Sequence, residues 1–340
     1  MKRIAGGVAL LFALVCFLPD VSISQSLIQG KWDVEKDENG LFLRMRIIQK
    51  RKFGDWHFSR DFLISDFTDF AWGKEANFRL VREAGTLVFE GELSAEAGSG
   101  SFAFHPGEDF RDFLAEKGFS DVEDRDLLAL CLNDVTRQYI DDLFALGYSD
   151  ISFSELISFA IHDVSIDFIE DIHALGYEDI SPSQLISFRI HDVDPEYIKS
   201  LREFGYTGLD PASLVSFAIH DVSVDYVHKM DGLGYKNIDP SRLVSFRIHD
   251  VEPEFVQELH DLGYVSLDPE QLISFAIHDV TPDFVKSIHS AGYKDISPSQ
   301  LISFRIHDVD KKFIERVNEN QGKKMTPRNI ISLKIRNFSY

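Results

Sequence analysis

Residues 180–206 read ISPSQLISFRIHDVDPEYIKSLREFGY, and the organisation of the chain follows from this stretch. Ser181 is placed to cap a helix, Pro182 suits the first helical position, and Gln184 completes a capping box. Ile180 before the cap and Leu185 inside the helix form a hydrophobic staple. These signals predict a first helix running to about His191. A second start follows at once. Val193 precedes the cap Asp194, Pro195 follows it, and Val193 can staple to Ile198. The second helix runs through Tyr197, Ile198 and Leu201 and stops at Gly205, which suits the left-handed residue beyond a helix end. Tyr206 can then touch Leu201 across the terminus.

The same stretch recurs. Ile-His-Asp-Val places His162, His191, His220, His249, His278 and His307 each 29 residues after the last. Asn133 and Arg336 hold this register on either side, in degraded copies. The Gly-Tyr stop keeps the same beat from Gly147-Tyr148 to Gly292-Tyr293, with Gly118-Phe119 as an earlier copy. A fixed period of this size marks a repeat architecture. Helices this short are marginal alone, since isolated ones below ~12–15 residues barely form in water. They must stack on neighbouring copies, which predicts an α-solenoid of 29-residue two-helix repeats over residues 106–337. Its ends are atypical: Glu108 to Lys117 reads as a lone second helix, and Thr326 to about Arg336 as a lone first helix. A finer period of 58 alternates Ala160, Arg189, Ala218, Arg247, Ala276 and Arg305. Duplication of a two-unit cassette accounts for it, and residues 180–194 and 296–310 are identical. It also sets Arg over Ala between neighbouring helices and keeps like charges apart.

Before the array the helical pattern is lost. Leu43, Met45 and Ile47 alternate as in a strand; Trp56 to Leu63, Asn77 to Val81 and two glycine-flanked stretches after Gly85 and Ser99 read likewise. Residues 26–105 are therefore expected to form a small antiparallel β domain, sandwich-like or a small barrel. The fold class is α+β multidomain. Residues 1–24 have the layout of a secretory signal peptide: Lys2 and Arg3, an uncharged run from Ile4 to Pro19, then Ser22-Ile23-Ser24. Val15 before Cys16 argues against lipidation. The expected localisation is secreted or periplasmic, with no membrane span left after cleavage.

The 340 residues carry a net charge of −21, which argues against nucleic acid, because phosphates need clustered Lys and Arg. The local basic patch of Arg44, Arg46, Lys50, Arg51 and Lys52 reads as a solvated strand face. Residues 26–105 carry a net −2 and residues 106–340 a net −20, so the acidity belongs to the array and favours basic partners. Two Cys rule out a disulfide framework, and Cys131, in the Ala160/Arg189 register, reads as a packed thiol.

The phrase running from Leu185 to Val193, with Pro195-Glu-Tyr-Ile198 and Phe204-Gly-Tyr206, resembles the array of exported, mostly uncharacterised bacterial proteins. A similar array lies carboxy-terminal to membrane metallopeptidases of the β-lactam-sensor type. The segment from Phe78 to Gly91 also resembles what precedes such arrays. The resemblance implies the architecture. It does not carry the peptidase, because no His here is followed by Glu, so the zinc-binding His-Glu-x-x-His helix is missing.

No catalytic signature emerges. Phosphate-binding Gly-rich loops and the Gly-x-Ser-x-Gly elbow are absent, and no cofactor is expected. The pairs His162-Asp163, His191-Asp192, His220-Asp221, His249-Asp250, His278-Asp279 and His307-Asp308 invite a metal or catalytic reading. Stacked helices lie ~8–10 Å apart, whereas zinc ligands lie ~2.0–2.2 Å from one ion, so neighbours in this ladder cannot share a metal. Each His and Asp is instead expected to bond helix ends or the neighbouring unit at the turn. A pH-responsive ladder, a metal site from His173, His228, His260 or His289, and a β-domain enzyme using Asp55 or His57 are weaker readings. The function expected is a non-enzymatic scaffold for a protein or peptide of the cell envelope, basic by charge complementarity. A regulatory accessory of an envelope metallopeptidase is the alternative. Its contact surface is expected on variable second-helix positions such as Lys199, Arg202 and Glu203.

Overall fold

A computed structural model describes residues 28–37, 42–49 and 55–336. The signal-like segment, residues 50–52 of the basic patch and the last residue of the expected array lie outside the described residues.

Seven strands form one antiparallel sheet: β1 (Ile28–Lys36), β2 (Phe42–Gln49), β3 (Trp56–Leu63), β4 (Phe67–Thr68), β5 (Glu75–Arg82), β6 (Gly85–Leu93) and β7 (Ala97–Pro106). Their order is β3-β2-β1-β7-β6-β5-β4, two meanders joined by β1 against β7. The expected antiparallel sheet is present, as a single curled sheet rather than two facing ones. Alternation explains the curl. Leu43, Met45 and Ile47 of β2 and Ala76, Phe78 and Leu80 of β5 all point inward and are buried. An aromatic cluster fills the inside, with Trp32 edge-on to Phe78 at 5.2 Å and Phe78 stacked on Phe89 at 4.8 Å. Phe62 of β3 meets Phe67 of β4 at 5.6 Å, so the two edge strands approach through side chains without sharing a ladder. The Trp32 indole N–H donates to the carbonyls of Ser101 and Glu90 at 3.0 and 3.2 Å. Gly100, opposite Trp32 in the ladder, is needed because a Cβ there would collide with the Glu90 carbonyl.

The helical repeats follow. Helices α1 (Glu108–Glu116) and α2 (Asp124–Leu132) belong to the same compact unit as the sheet, which ends at Arg137. Five of the nine α2 residues are buried, because the sheet covers a second side of this helix through β6 and β7. Cys131 lies there with its thiol 3.5 Å from the Gly85 carbonyl, and burial raises its pKa to about 12. The thiol should therefore be inert to iodoacetamide at pH 8 in the folded chain and react only on unfolding. Mass spectrometry of the alkylated protein, native against denatured, checks this.

The second unit runs on as α3 (Arg137–Ala145), α4 (Phe153–Ile161), α5 (Ile166–Ala174), α6 (Pro182–Ile190), α7 (Pro195–Glu203), α8 (Pro211–Ile219), α9 (Val224–Gly232) and α10 (Pro240–Ile248). It continues with α11 (Pro253–Asp261), α12 (Pro269–Ile277), α13 (Pro282–Ser290), α14 (Pro298–Ile306), α15 (Lys311–Gln321) and α16 (Pro327–Ile335). Even-numbered helices are the first helices of each repeat; from α4 to α14 each contacts the next first helix, as α6 contacts α8, and from α5 to α13 each second helix contacts the next second helix. The expected caps form: Ser181 accepts from Gln184 N–H in a capping box, and Asp194 accepts from Tyr197 N–H. The core is a ladder of Phe159, Phe188, Phe217, Phe246, Phe275 and Phe304, each at most 1% exposed. A second ladder links units through hydroxyls. Tyr148, Tyr177, Tyr235, Tyr264 and Tyr293 each donate to a carbonyl 32 residues ahead, at 2.6–3.0 Å.

Candidate functional site

The Asp of each Ile-His-Asp-Val has a structural task that its sequence pattern hides. Asp163, Asp192, Asp221, Asp250, Asp279 and Asp308 all adopt left-handed backbone, with φ between 50° and 61°. They end the first helices as Gly ends the second. The Val164 N–H reaches back to the Phe159 carbonyl at 2.9 Å, and the five later valines repeat this bond. Asp tolerates this conformation better than most residues. It also places a negative charge at the negative end of the helix dipole.

Three arginines answer that charge across units. Arg189 donates through Nε to the His162 carbonyl at 3.1 Å and through Nη2 to Asp163 at 3.4 Å, with its plane over Phe168 at 5.2 Å. Arg247 treats His220, Asp221 and Tyr226 alike, at 3.3, 3.4 and 4.8 Å. Arg305 does so for His278, Asp279 and Phe284, at 3.2, 3.0 and 5.0 Å. His162, His220 and His278 thus bond the neighbouring unit through their main-chain carbonyls. None of the six imidazoles makes a hydrogen bond among the described residues.

The other histidines do not converge. His173 and His289 meet Tyr148 and Tyr264 at 3.0 and 3.3 Å, His260 stacks on Tyr235, and His228 tilts against Phe204. Each serves its own inter-unit contact, and among the described residues no three His, Cys, Asp or Glu side chains group as metal ligands. Burial, then Lys294, lowers the pKa of His289, with Asp295 opposing. The folded chain therefore resists protonating it, and stability falls as pH drops through ~6.5, the unfolded value. Asn318 bonds Tyr293 in the same register without titrating. His289→Asn should accordingly lose less Tm between pH 7.5 and 5.5 than the wild type, by thermal denaturation at both values.

In the β unit, Asp55 and His57 are both exposed. A concavity of about 570 Å³ on the sheet carries Glu90 and His105. Glu90 pairs with Ser101 in the ladder, four residues from His105, so the two lie ~13 Å apart along the strand and form no acid–base pair.

Of the expected contact residues, Lys199 pairs with Glu196 at 3.1 Å, and Glu203 is exposed. Arg202 is occupied within the array: it donates to the Leu175 carbonyl at 2.7 Å and covers the Tyr177 ring, tying α7 to the end of α5.

The surface that stands out lies on the first helices instead. Ile161, Ile190, Ile219, Ile248, Ile277, Ile306 and Ile335 end successive first helices, and each is 50–58% exposed. Beside them run half-buried Ile157, Ile186, Val215, Val244, Ile273, Ile302 and Ile331. Between them stands a serine in every unit, and five of these (Ser158, Ser187, Ser245, Ser303 and Ser332) donate back to the carbonyl four residues earlier in their own helix. That bond consumes the serine's donor within the helix and leaves a small, uncharged surface. A groove of about 320 Å³ lies between α6 and α8, lined in part by Ser187, Val215, Ser216 and Ile219. The signal was present in the sequence: helical geometry puts residues 183, 187 and 190 on one side, away from buried Leu185 and Phe188.

A comparison with protein-family models finds no match, and neither does a comparison with curated proteins.

Proposed function

We propose that this chain is a non-enzymatic, exported scaffold that binds a protein or peptide along the first-helix face of its array. The observation that carries the reading is the row of seven exposed isoleucines, repeated in register on successive first helices. Single exposed apolar residues are ordinary, whereas a contiguous apolar row marks an interaction surface. The charged second helices supply solubility and steer a basic partner. Export is supported by the uncharged amino-terminal run behind Lys2 and Arg3. Among the described residues no helix is long and apolar enough to cross a membrane.

The test is affinity capture from envelope extract with the whole chain as bait, beside two variants. One carries Ile190→Ser, Ile219→Ser, Ile248→Ser and Ile277→Ser; the other carries Lys199→Ala and Glu203→Ala. A protein retained by the wild type and the second variant, and lost by the first, supports the reading. Loss with the second-helix variant alone contradicts it.

A further inference from the structure

The first helices α4 to α14 each end in a corner built from three groups: the His carbonyl, the Asp carboxylate and an aromatic ring of the following second helix. The next first helix supplies what fills it. Three corners receive Arg189, Arg247 and Arg305 as described. At the corner of His307 and Asp308, Lys334 places its ammonium over Phe313 at 4.7 Å. In the preceding compact unit, Asp134 holds the same register and is paired by Arg82 of β5 at 3.0 Å.

Two corners have no such cation. His191 and Asp192 stand with Tyr197, and His249 and Asp250 with Phe255, where the next first helices carry Ala218 and Ala276. Among the described residues Asp192 and Asp250 form no ion pair, no side chain donates to the His191 or His249 carbonyl, and no cation covers either ring. The Tyr197 hydroxyl donates to the Val222 carbonyl at 2.8 Å, just as Tyr226 donates to Val251 beneath Arg247, so the ring face remains usable. Left-handed backbone alone does not call for a carboxylate here. Asn or Gly would serve it without opposing the helix dipole.

We propose that these two corners are sockets for arginine side chains of a polypeptide partner. A guanidinium would donate to the His carbonyl and the Asp carboxylate and stack on the ring, as the chain's own arginines do in the alternate corners. Lysine is a poorer fit, because a point-like ammonium cannot fork and stack at once. The sockets lie two repeats apart, so packed first helices at ~8–10 Å separate them by roughly 16–20 Å. Ile190 and Ile248 immediately precede the socket histidines, and Ile219 lies on the first helix between them. The occupant is therefore a segment with two arginines at that distance and apolar side chains between. The inference rests on the reading of the first-helix face as the binding surface and names the chemistry of what it binds.

The probe is a synthetic peptide with two arginines joined by a flexible Gly-Ser linker able to span the sockets, beside its dilysine counterpart. Binding to the whole chain is followed through alanine methyl resonances. The expected result is saturable shifts of Ala218 and Ala276, with the diarginine peptide at least ~10-fold tighter than the dilysine peptide. Ala218→Arg with Ala276→Arg fills both sockets from within and should abolish the binding. Asp192→Asn with Asp250→Asn keeps the left-handed turn and should weaken it at least ~10-fold without lowering Tm; it decides the matter should the arginine variant fail to fold. Equal affinity for both peptides, shifts spread over the acidic surface, or full binding to the Asn variant would overturn the proposal. If the diarginine peptide does not bind but the isoleucine variant still loses its captured partner, the sockets fall and the face stands. If the peptide binds at the sockets and the isoleucine variant keeps its partner, the face falls instead.

Discussion

Phe246→Ala is expected to destabilise the array by about 3–5 kcal/mol, the usual cost of removing a fully buried phenylalanine. Phe246 is 0% exposed and sits in α10, with α8 on one side and α12 on the other. Its ring also meets Tyr235 edge-on at 6.3 Å, so the cavity opens beside a hydroxyl that bridges to the next unit. In a linear repeat each unit is stabilised by its two neighbours alone. A weak central unit should therefore split the unfolding into steps rather than shift one transition. The chain offers separate reporters. Trp32, Trp56 and Trp72 all lie in the β unit, so tryptophan fluorescence follows the sheet, while ellipticity at the helical band is dominated by the array. In urea, Phe246→Ala should broaden and lower the helical transition and leave the fluorescence transition in place. A helical midpoint equal to that of the wild type would contradict the stacking described.

Replacing Ile190, Ile219, Ile248 and Ile277 by Ser should weaken partner binding by roughly 100- to 1,000-fold and leave folding nearly untouched. Each side chain is at least half exposed in the free chain, so its loss costs the fold little. Burial of the remaining apolar area against a partner contributes about 1 kcal/mol per residue, and four such losses reach that range. Surface plasmon resonance on the captured partner, together with thermal denaturation of the free variant, separates the two effects. A variant that binds normally would remove these residues from the interface. One that melts many degrees lower would show that they support the array rather than a partner.

Much of this was legible in the sequence because the signals repeat. Ser181, Pro182 and Gln184 mark a helix start, Gly205 marks a stop, and neither needs tertiary information. The strand alternation at Leu43, Met45 and Ile47 was equally local. What the sequence could not convey was long-range partnership. Asp163 reads as half of a chemical pair with His162, yet it ends a helix in left-handed backbone and pairs with Arg189, 26 residues later. Arg202 looked like a free surface charge, yet a carbonyl 27 residues earlier holds it. Strand β1 is not legible locally, because its pattern is broken by Gly30 and charged residues, and its pairing with β7 is set by residues about 70 positions away. The isoleucine row is only half legible: helix geometry sets Ile190 on the side away from Leu185 and Phe188, but that this side stays uncovered depends on the packing of neighbouring units.

The central claim is that the first helices carry the binding surface. Hydrogen exchange of the whole chain, alone and with its captured partner bound, tests it most directly. Slower exchange confined to the carboxy-terminal halves of α6, α8, α10 and α12 is the result predicted. Protection confined to α7, α9, α11 and α13, or to the sheet, would contradict it.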